Sequence, residues 1–212
     1  MAIDPSGKVW FSGFGGSPAI SVFDNDGKPL SPREGFTFGG ELGQLQGTIA
    51  TPSGDIWAAD SVKSQLVYLP KGDASKGKIF CKNPSSDPLK NPCQLLIPFG
   101  LAIDQKDNIW VTNILGDHVT RFPASDPTKA VTFKTGFSGS GLAVDSLGNV
   151  WITNKLGNSE RGRGQNAGDG SGGQGQLRWR PRRVRPNHPR NGRRHVSADA
   201  RLGGRQSDGS AP

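Results

Sequence analysis

Residues Leu101 to Asn113 read LAIDQKDNIWVTN, and residues Leu142 to Asn154 read LAVDSLGNVWITN. Each opens on a short apolar run and meets an aspartate that can accept a hydrogen bond from the backbone two residues on. It then crosses a polar turn and resumes as a strand-like run around a tryptophan, the pattern of a β-hairpin. Working outward, the same pattern aligns without gaps to AIDPSGKVWFS from Ala2 and to IATPSGDIWAAD from Ile49. The tryptophans Trp10, Trp57, Trp110 and Trp151 are 47, 53 and 41 residues apart, and six residues before them stand Asp4, Thr51, Asp104 and Asp145. Turn chemistry therefore repeats together with the aromatic.

A third strand follows each of the first three hairpins, at Ala19 to Phe23, Gln65 to Leu69 and His118 to Phe122. Fragments of a fourth read at Phe36 to Phe38, Lys78 to Phe80 and Ala130 to Phe133. Four short strands in each unit of 40 to 50 residues, with no helix-period segment between them, predict an all-β chain. The architecture expected is a β-propeller of four-stranded blades, incomplete at about three and a half blades. One such unit cannot cover both of its faces, so a large ring at one fixed place per repeat is expected to fill the seam against the next unit.

These strings resemble NHL-type propeller repeats, and in particular the virginiamycin B lyase (streptogramin lyase) group, with a more distant similarity to SMP-30/gluconolactonase propellers. The resemblance covers residues 1 to 158. It implies a role as a binding scaffold or, alternatively, a metal-dependent lyase or lactone hydrolase. Lyases of the group are similar in fold and open a cyclic depsipeptide with histidine, glutamate and Mg²⁺ on the channel face. Those residues come mainly from later blades, and this sequence stops repeating after Asn154. Function does not follow from the repeat alone, because such propellers host enzymes, binders and scaffolds alike.

Charge divides the chain at the same place. The formal net charge is +8, yet residues 1 to 155 sum to zero and the whole excess lies in the last 57 positions, which hold 12 Arg and no Lys. Leu, Ile, Val and Phe supply 41 of the first 155 residues but 5 of the last 57, too few to offset the entropy of ordering. Residues 159 to 212 are accordingly read as an Arg/Gly/Pro-rich disordered or frame-shifted tail. RGRG at Arg161 and RWRPRRVRP at Arg178 also fit a nucleic-acid-binding arm, in which guanidinium charge is combined with a stacking ring, and a solvated linker remains a third reading.

No apolar run reaches the roughly 20 residues of a membrane span, and MAIDPSGKVWF lacks the charged start and apolar stretch of a signal peptide. Cys81 and Cys93 lie in the loop-like FCKNPSSDPLKNPC, where a disulfide and a reduced pair are both open. The residue three after each tryptophan is Gly13, Asp60, Asn113 or Asn154. Three oxygen-bearing side chains at equivalent places are candidates for Ca²⁺ or Mg²⁺, against the alternative that each bonds backbone groups of its own loop. His118, the single histidine of the repeats, is a weak catalytic candidate and reads as a surface residue beside Asp117. Expected partners are a small molecule or protein at the propeller face, and other copies of the chain through open blade edges.

Overall fold

The computed structural model describes residues 1–155 except Ser17 and Ser86. Residues 156–212 lie outside the described residues, and with them the arginine-rich stretches on which the disordered, frame-shifted and nucleic-acid-binding readings rest. Four antiparallel sheets follow one another along the chain. The first holds β1 (Ala2–Ile3), β2 (Val9–Ser12) and β3 (Ile20–Phe23). The second holds β4 (Leu45–Ala50), β5 (Ile56–Asp60), β6 (Gln65–Leu69) and β7 (Lys78–Phe80). The third holds β8 (Pro98–Ile103), β9 (Asn108–Asn113), β10 (His118–Pro123) and β11 (Val131–Lys134). The last is the hairpin of β12 (Gly139–Val144) and β13 (Val150–Asn154).

Within each sheet the strands pair in sequence order, and the first strands of successive sheets, β4, β8 and β12, lie side by side. Sequential four-stranded meanders joined along their innermost strands make an arc of a β-propeller. In the first unit, the strand expected at Phe36 to Phe38 is reduced to a single bridge between Ile20 and Phe36, and Phe38–Gly40 forms a 3-10 turn. Positive φ at Gly35, Phe38, Gly39 and Gly40 bends this stretch away from a ladder. Phe36 and Phe38 still pack against the cluster around Trp10.

The aspartates do more than turn the chain. Asp4 Oδ1 accepts the backbone N–H groups of Ser6 (2.8 Å) and Lys8 (3.1 Å), while Oδ2 accepts the indole N–H of Trp10 at 2.9 Å. Asp104 and Asp145 repeat the arrangement, each taking two turn N–H groups on Oδ1 and the Trp110 or Trp151 indole at 3.0 Å on Oδ2. One carboxylate thus fixes the hairpin turn and the orientation of the ring. Thr51, in the second unit, takes the Asp55 N–H on Oγ1 and shares a hydroxyl contact with Ser53, and the Trp57 indole nitrogen is buried without a partner.

The first three indoles then pack forward. Trp10 joins a core with Ile56, Ala58 and Leu69 of the second sheet, Trp57 one with Leu101, Ile109, Val111 and Phe122 of the third, and Trp110 one with Val150 and Ile152 of the last hairpin. These three rings are 2%, 0% and 3% exposed, as the seam reading requires. Removing Trp57 as Trp57→Ala should cost about 3–5 kcal/mol, the range for a buried aromatic truncation.

Two predictions follow from the carboxylates. Thr51→Asp supplies the missing acceptor and is expected to raise stability by about 1 kcal/mol, read as a higher melting temperature; no gain would show that the Trp57 N–H carries no cost. Acid should also loosen the turns. The Asp145 carboxyl is held down to about 2, chiefly by the Asn149 side-chain amide. Burial, the largest influence on Asp4 and Asp104, pushes their carboxyls up, but the hydrogen bonds together outweigh it and both lie below the ordinary value. Groups depressed on folding stabilise above their unfolded pKa, near 3.9 for Asp, and lose that contribution as pH falls through the folded one. The melting temperature should therefore fall steeply between about pH 4 and pH 2, with a shallower slope for Asp145→Asn.

Candidate functional site

In an antiparallel meander, the loop after the second strand and the loop after the fourth share one edge. Here those loops are stitched into a continuous band across all four units. Leu45 N–H donates to the Gly13 carbonyl (3.2 Å) and Ser61 N–H to the Gln44 carbonyl (2.8 Å). Ile97 N–H reaches Ser64 Oγ (3.2 Å), while Ile114 and Leu115 N–H groups donate to the carbonyls of Ile97 and Leu96. Ser138 N–H then donates to the Gly116 carbonyl, and Lys155 N–H to the Ser138 carbonyl. Loops of this edge carry exposed apolar side chains singly: Phe14 (59%), Val62, Leu115 and Phe137 in or beside the band, and Leu89 in the loop entering the third sheet.

Asp60, Asn113 and Asn154 belong to this band. Asp60 is fully buried, and its Oδ2 accepts the Gly43 N–H at 2.7 Å and the Gln65 side-chain amide at 2.9 Å, while Oδ1 accepts the Lys63 N–H at 3.2 Å. Asn113, also fully buried, accepts the Leu96 N–H on Oδ1 at 2.9 Å and donates from Nδ2 to Thr120 Oγ1 at 3.1 Å and to the His118 carbonyl at 3.3 Å. Both side chains reach back 17 residues to the loop that enters their own sheet. Asn154 Oδ1 is buried without a partner, and at Gly13 the position carries no side chain.

The Asp60 and Asn113 oxygens are engaged by N–H donors, which compete for the lone pairs a Mg²⁺ or Ca²⁺ ion would need, whereas Asn154 Oδ1 is not so engaged. Among the described residues, no group of three His, Cys, Asp or Glu side chains could hold a metal ion, and no helix is long and apolar enough to cross a membrane. His118 sits at the start of β10, where the sequence placed the first residue of a third strand, and its side chain is 14% exposed. Its Nε2 is 2.9 Å from the Gln94 carbonyl oxygen, so Nε2 bears the proton there; Nδ1 lies 3.7 Å from Asp117 Oδ1. The Gln94 carbonyl also accepts Thr120 Oγ1–H, which makes this histidine part of the packing between β10 and the loop entering the third sheet.

That entering loop is tied twice. Cys81 and Cys93 are joined by a disulfide with Cα atoms 5.4 Å apart, a closure worth about 3 kcal/mol on the chain-entropy account. Asn91, 3% exposed, donates to the carbonyls of Ser64 and Cys81 and accepts the N–H groups of Cys93 and Leu95. Sequence reasoning missed this residue, for which no repeat signal exists. It also missed a signal that was present: a glycine ten before three of the tryptophans, Gly47, Gly100 and Gly141. Each falls in a register shift of its innermost strand. A Cβ on Gly47 would collide with the Phe99 carbonyl of the next unit, and one on Gly100 with the Ser140 carbonyl. A hydroxyl two after the tryptophan bridges the same junction, Ser12 Oγ donating to the Gln46 carbonyl (3.0 Å) and Thr112 Oγ1 to the Ser140 carbonyl (2.9 Å).

Comparison with known proteins agrees with the fold. No protein-family model and no curated protein matches the chain, but solved structures do. A streptogramin B lyase superposes with TM-score 0.53 at 18% identity over 71% of this chain and 46% of its own. A chain of a nidogen–laminin complex gives 0.54 at 15% identity over 72% and 54%, and a gluconolactonase from Xanthomonas campestris 0.52 at 14% over 72% and 52%. The chain thus spans about half the length of the propellers it matches, and at these identities the likeness is one of fold.

The hydrogen-bonding role of Asn113 is open to a direct check. Asn113→Ala leaves the Leu96 N–H without its acceptor and is expected to cost about 2 kcal/mol, by the same amount with and without added Mg²⁺ or Ca²⁺. A stabilisation of the parent chain by either ion that Asn113→Ala abolishes would instead make this position a metal ligand.

Proposed function

We propose that this propeller arc is a binding scaffold that takes a small apolar molecule or a protein segment at the loop-built edge. The observation that carries the reading is the exposure of Phe14, Val62, Leu89, Leu115 and Phe137 along one edge. Apolar side chains exposed along one edge offer a surface to a partner, and the loops that hold them are anchored by Asp60, Asn91 and Asn113. Rigid anchoring lowers the ordering cost of binding. The nidogen–laminin complex is a case in which a chain of this fold meets a protein partner. It supports a protein as one class of ligand.

The alternative reading is a lyase-like or lactonase-like enzyme, which the names of the streptogramin B lyase and the gluconolactonase suggest. Catalysis of that kind needs an acid and a base placed on the substrate. His118 and Asp60, the titratable candidates from the sequence, are engaged in holding loops. The scaffold reading is therefore the better supported of the two.

Two measurements separate them. With Mg²⁺ present, neither a streptogramin B nor a sugar lactone should be turned over by the folded chain; turnover lost in Asn113→Ala or Asn154→Ala would establish the enzyme. A photoreactive phenylalanine analogue at Leu115 is expected to cross-link a bound partner, while the same group at Leu147, 79% exposed in a turn of the opposite edge, should not. Equal capture at both places would remove the loop-built edge as the binding surface.

A further inference from the structure

The loop that enters the third sheet closes on itself at a neck. Cys81 directly follows β7, and Cys93, 12 residues on, returns to within 5.4 Å of it between Cα atoms. A surface loop whose ends meet in this way is an Ω-loop, a frequent carrier of function. Among its described residues, Asn83 donates to the Asp87 carbonyl, Ser85 to Asn83, Asp87 to Ser85 and Leu89 to Asp87, all within the loop. Lys82 adds an ion pair with Glu41, exposed and therefore weak. The loop is tied to the sheets at its neck, by the disulfide and by Asn91.

Three features make that neck an element with two states. The first is backbone strain. Cys81, Gln94 and Ile97 have φ of +63°, +54° and +54°, a region that L side chains seldom enter and β-branched ones least. Such conformations persist only where the surroundings impose them, and they gather at switches and clamps. The second is an acceptor that suits only the reduced form. Cys93 Sγ lies 3.5 Å from the Pro127 carbonyl oxygen; a disulfide sulfur has no proton to donate there, whereas a thiol has one. The third is the setting of the sulfurs. Both cysteines belong to the core cluster of Trp57, Leu66, Leu95 and Phe122, in which a free cysteine packs as a small apolar residue. Breaking the bond therefore removes no atom from the core, relaxes Cys81 and leaves Cys93 a hydrogen bond to gain.

We propose that Cys81–Cys93 is a redox switch that fixes or loosens the third unit's part of the loop-built edge, with a dithiol as its reductant. One thiolate of the dithiol attacks the Cys81 sulfur, the less covered of the two at 8% against 3% exposed. A bond forms between the reductant and Cys81 as the Cys81–Cys93 bond breaks, and Cys93 leaves as a thiolate that takes a proton and turns it to the Pro127 carbonyl. The second thiol of the reductant then displaces Cys81 and closes the reductant's own disulfide, so that two electrons and two protons pass to the protein. Asn91 alone then holds the neck, through the Ser64 and Cys81 carbonyls. Residues 91–97 carry the change to the edge. The Gln94 carbonyl takes His118 and Thr120, the Leu96 N–H sits on Asn113, and the Leu96 and Ile97 carbonyls accept from Leu115 and Ile114. The switch is independent of what binds there.

The test follows the whole 212-residue chain in native buffer with and without dithiothreitol, by thiol titration, amide hydrogen exchange and thermal melting. The pair is expected to be reduced without denaturant. Exchange at the Leu96, Ile114 and Leu115 amides should then rise about tenfold, as for a local opening. The amides of β5 and β9, strands paired on both sides, should keep their rates, the melt should stay cooperative, and reoxidation should restore the original values. A chain carrying Cys81→Ser and Cys93→Ser together is expected to show the faster rates under both conditions. A bond that yields only in denaturant, sheets that are lost on reduction or in the double variant, or edge amides indifferent to the bond would each overturn the proposal.

Discussion

The interaction on which the rest depends is an indole held from two sides. Its N–H is fixed by an aspartate six residues earlier, and its ring lies against the sheet that follows. The first contact is local and sets the turn; the second is long-range and sets the joint. Because one carboxylate takes both the turn N–H groups and the indole, a hairpin cannot form correctly without also aiming its ring at the neighbour. Local and tertiary preferences therefore agree at Trp10 and Trp110, which is the condition for a sequence to specify one arrangement. The second unit shows the two contacts to be separable. With Thr51 in the aspartate's place, Trp57 loses its hydrogen bond but stays fully buried, pressed among Tyr68, Phe80 and Phe122.

Much of this was legible in the residues. The spacing of the four tryptophans gave the unit, the aspartates gave the turns, and the runs at Gln65, His118 and Lys78 gave strands that the structure places within a residue or two. What failed did so for a physical reason. Phe36 and Phe38 alternate as a strand should, but the glycines around them accept positive φ and the segment folds under the core instead of extending its sheet. His118 reads as a surface residue beside Asp117; its contact with the Gln94 carbonyl comes from a loop of irregular length that no repeat predicts.

The candidate site was less legible than the fold. The chemistry of the position three after each tryptophan could not be read from residue type alone. An Asp or Asn oxygen serves a cation or an N–H donor equally well, and only the path of the loop 17 residues earlier decides between them. Asn91 shows the opposite case. It lies outside the repeat, carries four hydrogen bonds and holds the disulfide-closed loop beneath the exposed leucine and valine tips, with nothing in its sequence surroundings to mark it.

The glycines of the innermost strands bear on a different property, the angular pitch of the arc. Where Gly47 meets the Phe99 carbonyl and Gly100 meets the Ser140 carbonyl, backbone touches backbone, and the hub can contract no further. The angle turned per unit is then set at the hub by main-chain contact and at the rim by side-chain volume. At these two junctions the pitch is thus a ratio of two thicknesses: the glycine-lined hub, which is the same at both, and the aromatic wedge, which is not. Divergence in the tryptophan seam would retune the size of the ring, while the hub would stay as it is.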